Sequence, residues 1–389
     1  MRSLALGLTA ALLLSLPAAP AATTPPDHTR DRASGAERAA YPTLSVKRIV
    51  RGLDHPWDVR TLGRGVLLYT QRDRATLGVW DHGRKHGVKF PSGSVWVSGE
   101  TGLMGLEVDP RFAKNRRVYT CQGGTTATGH DVRVIAWKLN GKLTRATRLR
   151  QLIGGFPATS GRHGGCRLLI DDAGSLLVGT GDAATATNPQ DLQSLGGKTL
   201  RLNRFTGRPW PTNPFAGAAS RAQRYVFTYG HRNVQGLSQR ADGTLWSIEQ
   251  GSDRDDEVNR LVKRGNYGWD PGAGYDESVP MTDHSLPGKQ RNAVWSSGLP
   301  TLATSGGGFV DGPTLGSYDG TLAVAALKAS RVLFLTLAAD GSLRRVHVPD
   351  ELRQFGRIRT VVDGPGSSFY VTTDNGGGTD AILRVRPVG

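Results

Sequence analysis

Cysteine is scarce in this sequence: 389 residues hold two, Cys121 and Cys166. Neither stands near residue 21, which excludes lipid attachment at the end of the leader described below. Long apolar runs are missing after the first two dozen residues, and none approaches the roughly 20 residues that a membrane-spanning helix needs. Runs of lysine and arginine are missing too. The basic residues, 49 against 33 acidic ones, are mostly arginines spread along the chain. Apolar residues at helical spacing are absent over any long segment, which argues against a helical fold.

What is present begins with a leader. "MRSLALGLTAALLLSLPAAPA" has one arginine, an apolar run and a small-residue site at Ala19-Pro20-Ala21, the pattern of a secretory signal peptide over 1–21. Residues 22–40 are polar and proline-bearing and read as a flexible lead. The folded part is expected over 41–389. Export predicts a secreted, extracellular protein, and there two cysteines most simply form one disulfide, Cys121–Cys166. The net charge of +16 suits a basic surface or a polyanionic small ligand; export makes nucleic acid a poor partner.

A turn followed by a short β run recurs along the chain. It begins at Thr61, Asp109, Asp171, Arg240, Ser317 and Asp363, as in "DDAGSLLVGTGD" and "RADGTLWSIEQG". Asp-Gly and Gly-rich turns supply the positive φ that tight hairpins demand. The spacing leaves room for about four short strands per unit, the size of a propeller blade. The expected fold is all-β, a six-bladed β-propeller, with a β-sandwich as the rival.

Four clusters carry chemistry: "GETGLMGLEVDPRF" from Gly99, "SGRHGGCRLLI" from Ser160, "YGHRNVQGL" from Tyr229 and "EQGSDRDDEVNRLVKRGNYGWD" from Glu249. "ALKASRVLFLTL" and "QFGRIRTVV" follow near the C-terminus. A histidine among glycines, His163, is ordinarily a turn residue; a metal role would need partners that the sequence does not place beside it. An imidazole with an ordinary pKa near 6.5 suits a general base.

With "PWDV" at Pro56, "GGKTLRLN", "NPF" and "NYGW", these motifs stand in the order of the soluble pyrroloquinoline quinone (PQQ)-dependent sugar dehydrogenases, which the chain resembles from about Leu44 onward. The resemblance implies oxidation of an aldose C1 hydroxyl to a lactone, with PQQ and Ca²⁺ as cofactors, a sugar as substrate and an external electron acceptor. It places the base at His163 and puts Arg232 beside the reacting oxygen. Glu100, Arg232, Asn233, Lys328, Arg357 and Arg359 fall on the positions that would hold the tricarboxylate cofactor. Lys328 and the Arg357/Arg359 pair are expected on separate strands, with both arginines on one face. Calcium would take the backbone carbonyls of Gly251 and Ser252. Asp255, Asp256 and Glu257 are expected to fix their loop by hydrogen bonds and ion pairs.

Two positions depart from the pattern. Glu100 replaces a glutamine, and a carboxylate repels a tricarboxylate unless it is protonated or paired. Arg162 replaces an aspartate that would orient the base. Trp269 and Thr301 are expected near the substrate. Two other readings stay open: a non-catalytic propeller that binds a carbohydrate or protein, and a calcium-dependent lactonase-type hydrolase, for which the sequence offers no clear His–Asp dyad. The chain is expected to be a monomer or homodimer without a membrane span.

Overall fold

The computed structural model describes residues 40–388. The leader and nearly all of the lead therefore lie outside the described residues.

Twenty-four strands form six four-stranded antiparallel sheets. Five are continuous in sequence, over 59–88, 103–156, 167–229, 234–296 and 304–347. The sixth takes its inner three strands from 358–387 and its outer strand from Leu44–Leu53 at the other end of the chain. That strand runs antiparallel to Asp380–Pro387, from Leu44 opposite Pro387 to Leu53 opposite Asp380. The ring is thus closed by backbone hydrogen bonds between the two ends of the folded chain. This is the six-bladed propeller that the turn repeats imply.

Each repeat falls on one structural feature. All six mark the hairpin between the innermost strand of a blade and its neighbour, such as the turn between Arg167–Ile170 and Ser175–Gly179. The tight turns take positive φ at Gly65, Gly174, Gly243, Gly320 and Gly366. The second blade uses a short helix, Phe112–Asn115, and ends it on left-handed Arg116.

Second strands are buried almost throughout, as in Ser368–Thr373, because neighbouring blades cover both faces. Fourth strands such as Leu343–His347 are half-exposed. The apolar core is accordingly split into six clusters, one in each wedge between adjacent blades. Between the second and third blades, for example, Tyr119, Val134 and Ala136 meet Leu168, Leu176 and Val178. Among the described residues no helix is long and apolar enough to cross a membrane.

Charges fill the centre. Asp58, fully buried, pairs with Arg60 and Arg167 at 2.7 Å each. The Arg167 guanidinium lies 4.1 Å from the centre of the Trp57 ring, and burial pulls it down to about 10. Arg359 pairs with Asp374, and Asp374 in turn accepts a hydrogen bond from His55 Nδ1 at 2.6 Å. His55 also donates its backbone N–H to Asp380 at the sixth blade's edge, so this cluster ties the entry of the first blade to the last.

The His55 imidazole is raised above 6.5, chiefly by its hydrogen bond to Asp374 and against the pull of burial, with Asp73 adding to the rise and Arg72 opposing it. A raised folded value means that the charged pair stabilises the fold fully below the unfolded pKa and ceases to do so as pH climbs through the folded one. His55→Gln keeps a neutral hydrogen bond and removes only the titration. The variant should be less stable than the parent by about 1.5 kcal/mol near pH 5.5, the scale of a hydrogen bond to a charged group, and the gap should close by about pH 8.5. Urea unfolding at both pH values reads this directly; a gap independent of pH would contradict it.

Candidate functional site

The loops leading into the inner strands, and the turns joining second to third strands, gather at one end of the ring. His163 lies on the first kind of loop, three residues before the disulfide-bonded Cys166 and four before the strand Arg167–Ile170. It is 3 % exposed and takes a left-handed φ of +50°. Glycine lets this loop lie directly on the end of strand Ser175–Gly179: a Cβ on Gly181 would stand 1.7 Å from the His163 carbonyl oxygen.

Asp182 orients the imidazole. His163 Nδ1 is 2.8 Å from Asp182 Oδ1, so Nδ1–H donates and the lone pair is left on Nε2. Nε2 makes no hydrogen bond among the described residues. Asp182 also accepts from the Ala184 N–H at 2.8 Å, Trp269 Nε1 at 2.8 Å and the Tyr275 hydroxyl at 2.7 Å. The Tyr275 oxygen lies 3.0 Å from His163 Nδ1. Burial, with the Asp182 charge beside it, holds that phenol protonated well above its ordinary range. Lys198 braces the loop from below, its buried ammonium donating to the carbonyls of Asn188, Pro189 and Gly196.

A His–Asp dyad is therefore present, contrary to the sequence reading. Asp182 lies 19 residues from His163, whereas the family pattern points to the position directly before the histidine. Arg162 at that adjacent position points away, to Glu277 at 3.0 and 3.2 Å.

Arg232 stands beside the dyad, 3 % exposed. Glu249 holds it by accepting from its backbone N–H, and also accepts from His231 Nδ1 at 2.7 Å. Arg232 Nη1 donates to the carbonyls of Gly251 at 2.6 Å and Gln250 at 3.2 Å; Nη2 pairs with Glu277; Nε has no partner. These contacts explain why "GHRN" and "EQG" occur together: the second motif seats the cation of the first. Asn233 is buried, accepting from the Gly165 N–H at 3.1 Å and from Gln235.

Glu100 accepts from the His163 N–H at 3.0 Å and, more distantly, from Asn233 Nδ2. It braces the base from behind. Arg359 is buried against Asp374, Gln235 and Ser305. Arg357 differs from expectation: it precedes strand Ile358–Gly364 and is exposed, so the two arginines do not share an environment. Lys328 likewise lies on the exposed turn after strand Thr321–Ala326, not on a strand.

The Gly251–Ser252 corner departs from a ready calcium site. The Gly251 carbonyl is engaged by Arg232, and Ser252 donates its hydroxyl to Asp253 at 3.3 Å. No group of three His, Cys, Asp or Glu side chains able to hold a metal occurs among the described residues. Asp256 is buried and accepts backbone N–H bonds from Gly251, Leu302, Ala303 and Thr304. Asp255 pairs with Arg254, and burial next to Glu249 pushes Glu257 up to about 8. Thr301 donates to Asp256 and is part of this brace, while Trp269 sits fully buried under Asp182.

A planar tricarboxylate fits the cations at this end of the ring. Arg232 and Arg359 are buried, Lys328, Arg357 and Arg162 are exposed, and Arg232 keeps one nitrogen unpaired, whereas Arg359 is fully engaged by Asp374, Gln235 and Ser305.

The model of the glucose/sorbosone dehydrogenase family matches residues 53–384. The aldose sugar dehydrogenase YliI of Escherichia coli is 30% identical over 368 residues, spanning 91% of this chain and 96% of that protein. The PQQ-bound aldose sugar dehydrogenase of Streptomyces coelicolor is 28% identical with a TM-score of 0.74, over 90% of this chain and 99% of that one. The soluble aldose sugar dehydrogenase of Escherichia coli, in its apo form, is 27% identical with a TM-score of 0.80, over 89% and 100%.

The Cys121–Cys166 disulfide joins the second blade's strand Arg117–Thr125 to the loop that carries His163. It closes a loop spanning 45 residues, which on chain-entropy grounds contributes about 2–4 kcal/mol. The double variant Cys121→Ala, Cys166→Ala should lose that much stability to urea and show faster amide exchange over 160–166. Unchanged stability and exchange would mean that the bridge constrains nothing.

Proposed function

The chain belongs to the glucose/sorbosone dehydrogenase family, and on that premise we propose that it is an exported quinoprotein that oxidises the C1 hydroxyl of aldoses to lactones and passes the electrons to an external acceptor. The observation that carries this reading is the His163–Asp182 pair opening its free Nε2 beside a buried, incompletely paired Arg232. The family match and the PQQ-bound relative support an oxidoreductase using PQQ.

When bound, PQQ supplies a two-electron quinone that accepts a hydride. The protein's own residues carry the rest. His163 Nε2 takes the hydroxyl proton as the C1–H bond breaks and the C1=O bond forms. Asp182 stabilises the resulting imidazolium without taking its proton. Arg232, itself buried, offers positive charge where oxygen gains negative charge. Arg359, Lys328 and Arg357 would meet cofactor carboxylates, and Asn233 would lie near them. Ca²⁺ at the Gly251 and Ser252 carbonyls would compete with Arg232 for Gly251, so no step is assigned to it. The cationic surroundings of Glu100 offset its charge.

The deciding experiment mixes the purified protein with PQQ and Ca²⁺ and follows aldose-dependent reduction of an artificial dye. His163→Ala should lower kcat about 10²–10⁴-fold, the usual share of a general base. Asp182→Asn should lower kcat by up to about 10⁴-fold with less change in KM, because it favours the wrong tautomer of the base without removing it. Failure of PQQ to bind the parent protein would overturn the quinoprotein reading.

A further inference from the structure

One contact at the site has no place in the chemistry above. Glu277 projects from the stretch 270–278, between strands Glu257–Leu261 and Trp295–Ser296. Its carboxylate bridges two cations from different blades: Arg162 Nη2 at 3.0 and 3.2 Å, and Arg232 Nη2. Despite partial burial, these bonds hold the Glu277 carboxyl below its ordinary range. It is therefore ionised at neutral pH.

The segment that carries it is a thin surface strap. Its own turns are local: Asp276 N–H donates to the Pro271 carbonyl, Tyr275 N–H to the Gly272 carbonyl, and Ser278 to Asp276. Gly272 and Gly274 have open space where a Cβ would be. Two side chains tie the strap to the site, the Tyr275 hydroxyl on Asp182 and the Glu277 carboxylate on the arginines.

Arg232, whose backbone carbonyl accepts from the Asp182 N–H at 2.8 Å, is buried, with Nε unpaired. A carboxylate from the chain itself occupies the outer part of its guanidinium. We propose that Arg162 and Arg232 form an anion seat that Glu277 fills in the ligand-free protein, and that a ligand bearing carboxylate or quinone oxygens binds there in exchange with Glu277. The exchange releases Arg162, which then reaches the ligand from the rim. The quinone reading enters only as the identity of the natural ligand.

The internal carboxylate lowers the apparent affinity of any external anion by the free energy of its own pairing. Glu277→Gln keeps the shape and removes the competing charge. In equilibrium titrations of the full chain, Glu277→Gln should bind both PQQ and citrate, a redox-inert tricarboxylate, at least about fivefold tighter than the parent, the scale of a partly exposed ion pair. Saturating citrate should speed amide hydrogen exchange over 270–278 in the parent protein, a measurement that needs no variant.

Equal or weaker binding of both ligands by Glu277→Gln, or strap exchange that is unchanged or slowed by citrate, would overturn the seat. Absence of citrate binding to both proteins would overturn it as well. Tighter citrate binding by the variant, with PQQ bound by neither protein, would leave the seat standing and remove the quinone reading instead.

Discussion

A buried carboxylate must be surrounded by donors or it will not stay ionised, and at Asp182 that requirement organises the site. Four donors meet there: the imidazole of His163, the Ala184 N–H, the Trp269 indole and the Tyr275 hydroxyl. They come from three separate loops. Satisfying one charge therefore fixes the His163 loop, the 180–197 loop and the strap relative to one another. The imidazole tautomer follows from the same bonds, since Nδ1 is committed and Nε2 is the nitrogen left to take a proton.

Arg232 is held by the same logic with the sign reversed. Its backbone N–H and the His231 ring both turn to Glu249, and its guanidinium rests on the Gln250 and Gly251 carbonyls. Such a placement costs desolvation and needs a rigid frame. The frame is the set of six apolar wedges, each shared by two blades, so that loops from different blades converge on fixed positions. The disulfide adds a covalent tie at the point where the base loop leaves the second blade.

The fold was largely legible because each blade repeats one local event, a glycine-bearing hairpin followed by a β run. The ring closure was not, since nothing in Leu44–Leu53 says that its partner lies at Asp380–Pro387. At the site, His163, Arg232, Asn233 and Arg359 were named through the family resemblance of short motifs, and the structure buries all four at the loop end of the ring. Asp182 reaches His163 from the far end of the neighbouring strand of the same blade, 19 residues on, and Tyr275 and Glu277 come from a loop of the adjacent blade, Tyr275 from 112 residues away, so no short motif joins them to it. The one available signal for Asp182 was its place at the end of "LLVGTGD", where a blade's second strand delivers residues to the loop face. Arg357 was misplaced by counting alternation in a strand that begins one residue later.

The exchange of an aspartate for Arg162 next to the base then has a simple physical reading. Orientation of an imidazole needs an acceptor on Nδ1, and Asp182 supplies one from a buried position that solvent does not screen. The residue preceding His163 is relieved of the task. It lies at the surface, nearly half exposed, where an arginine retains its hydration and adds positive charge to the rim. Losing the adjacent aspartate therefore leaves the base's tautomer intact while changing the charge that an approaching ligand meets first. The tautomer of His163 and the charge at the rim of its loop are thus set by different residues, Asp182 and Arg162.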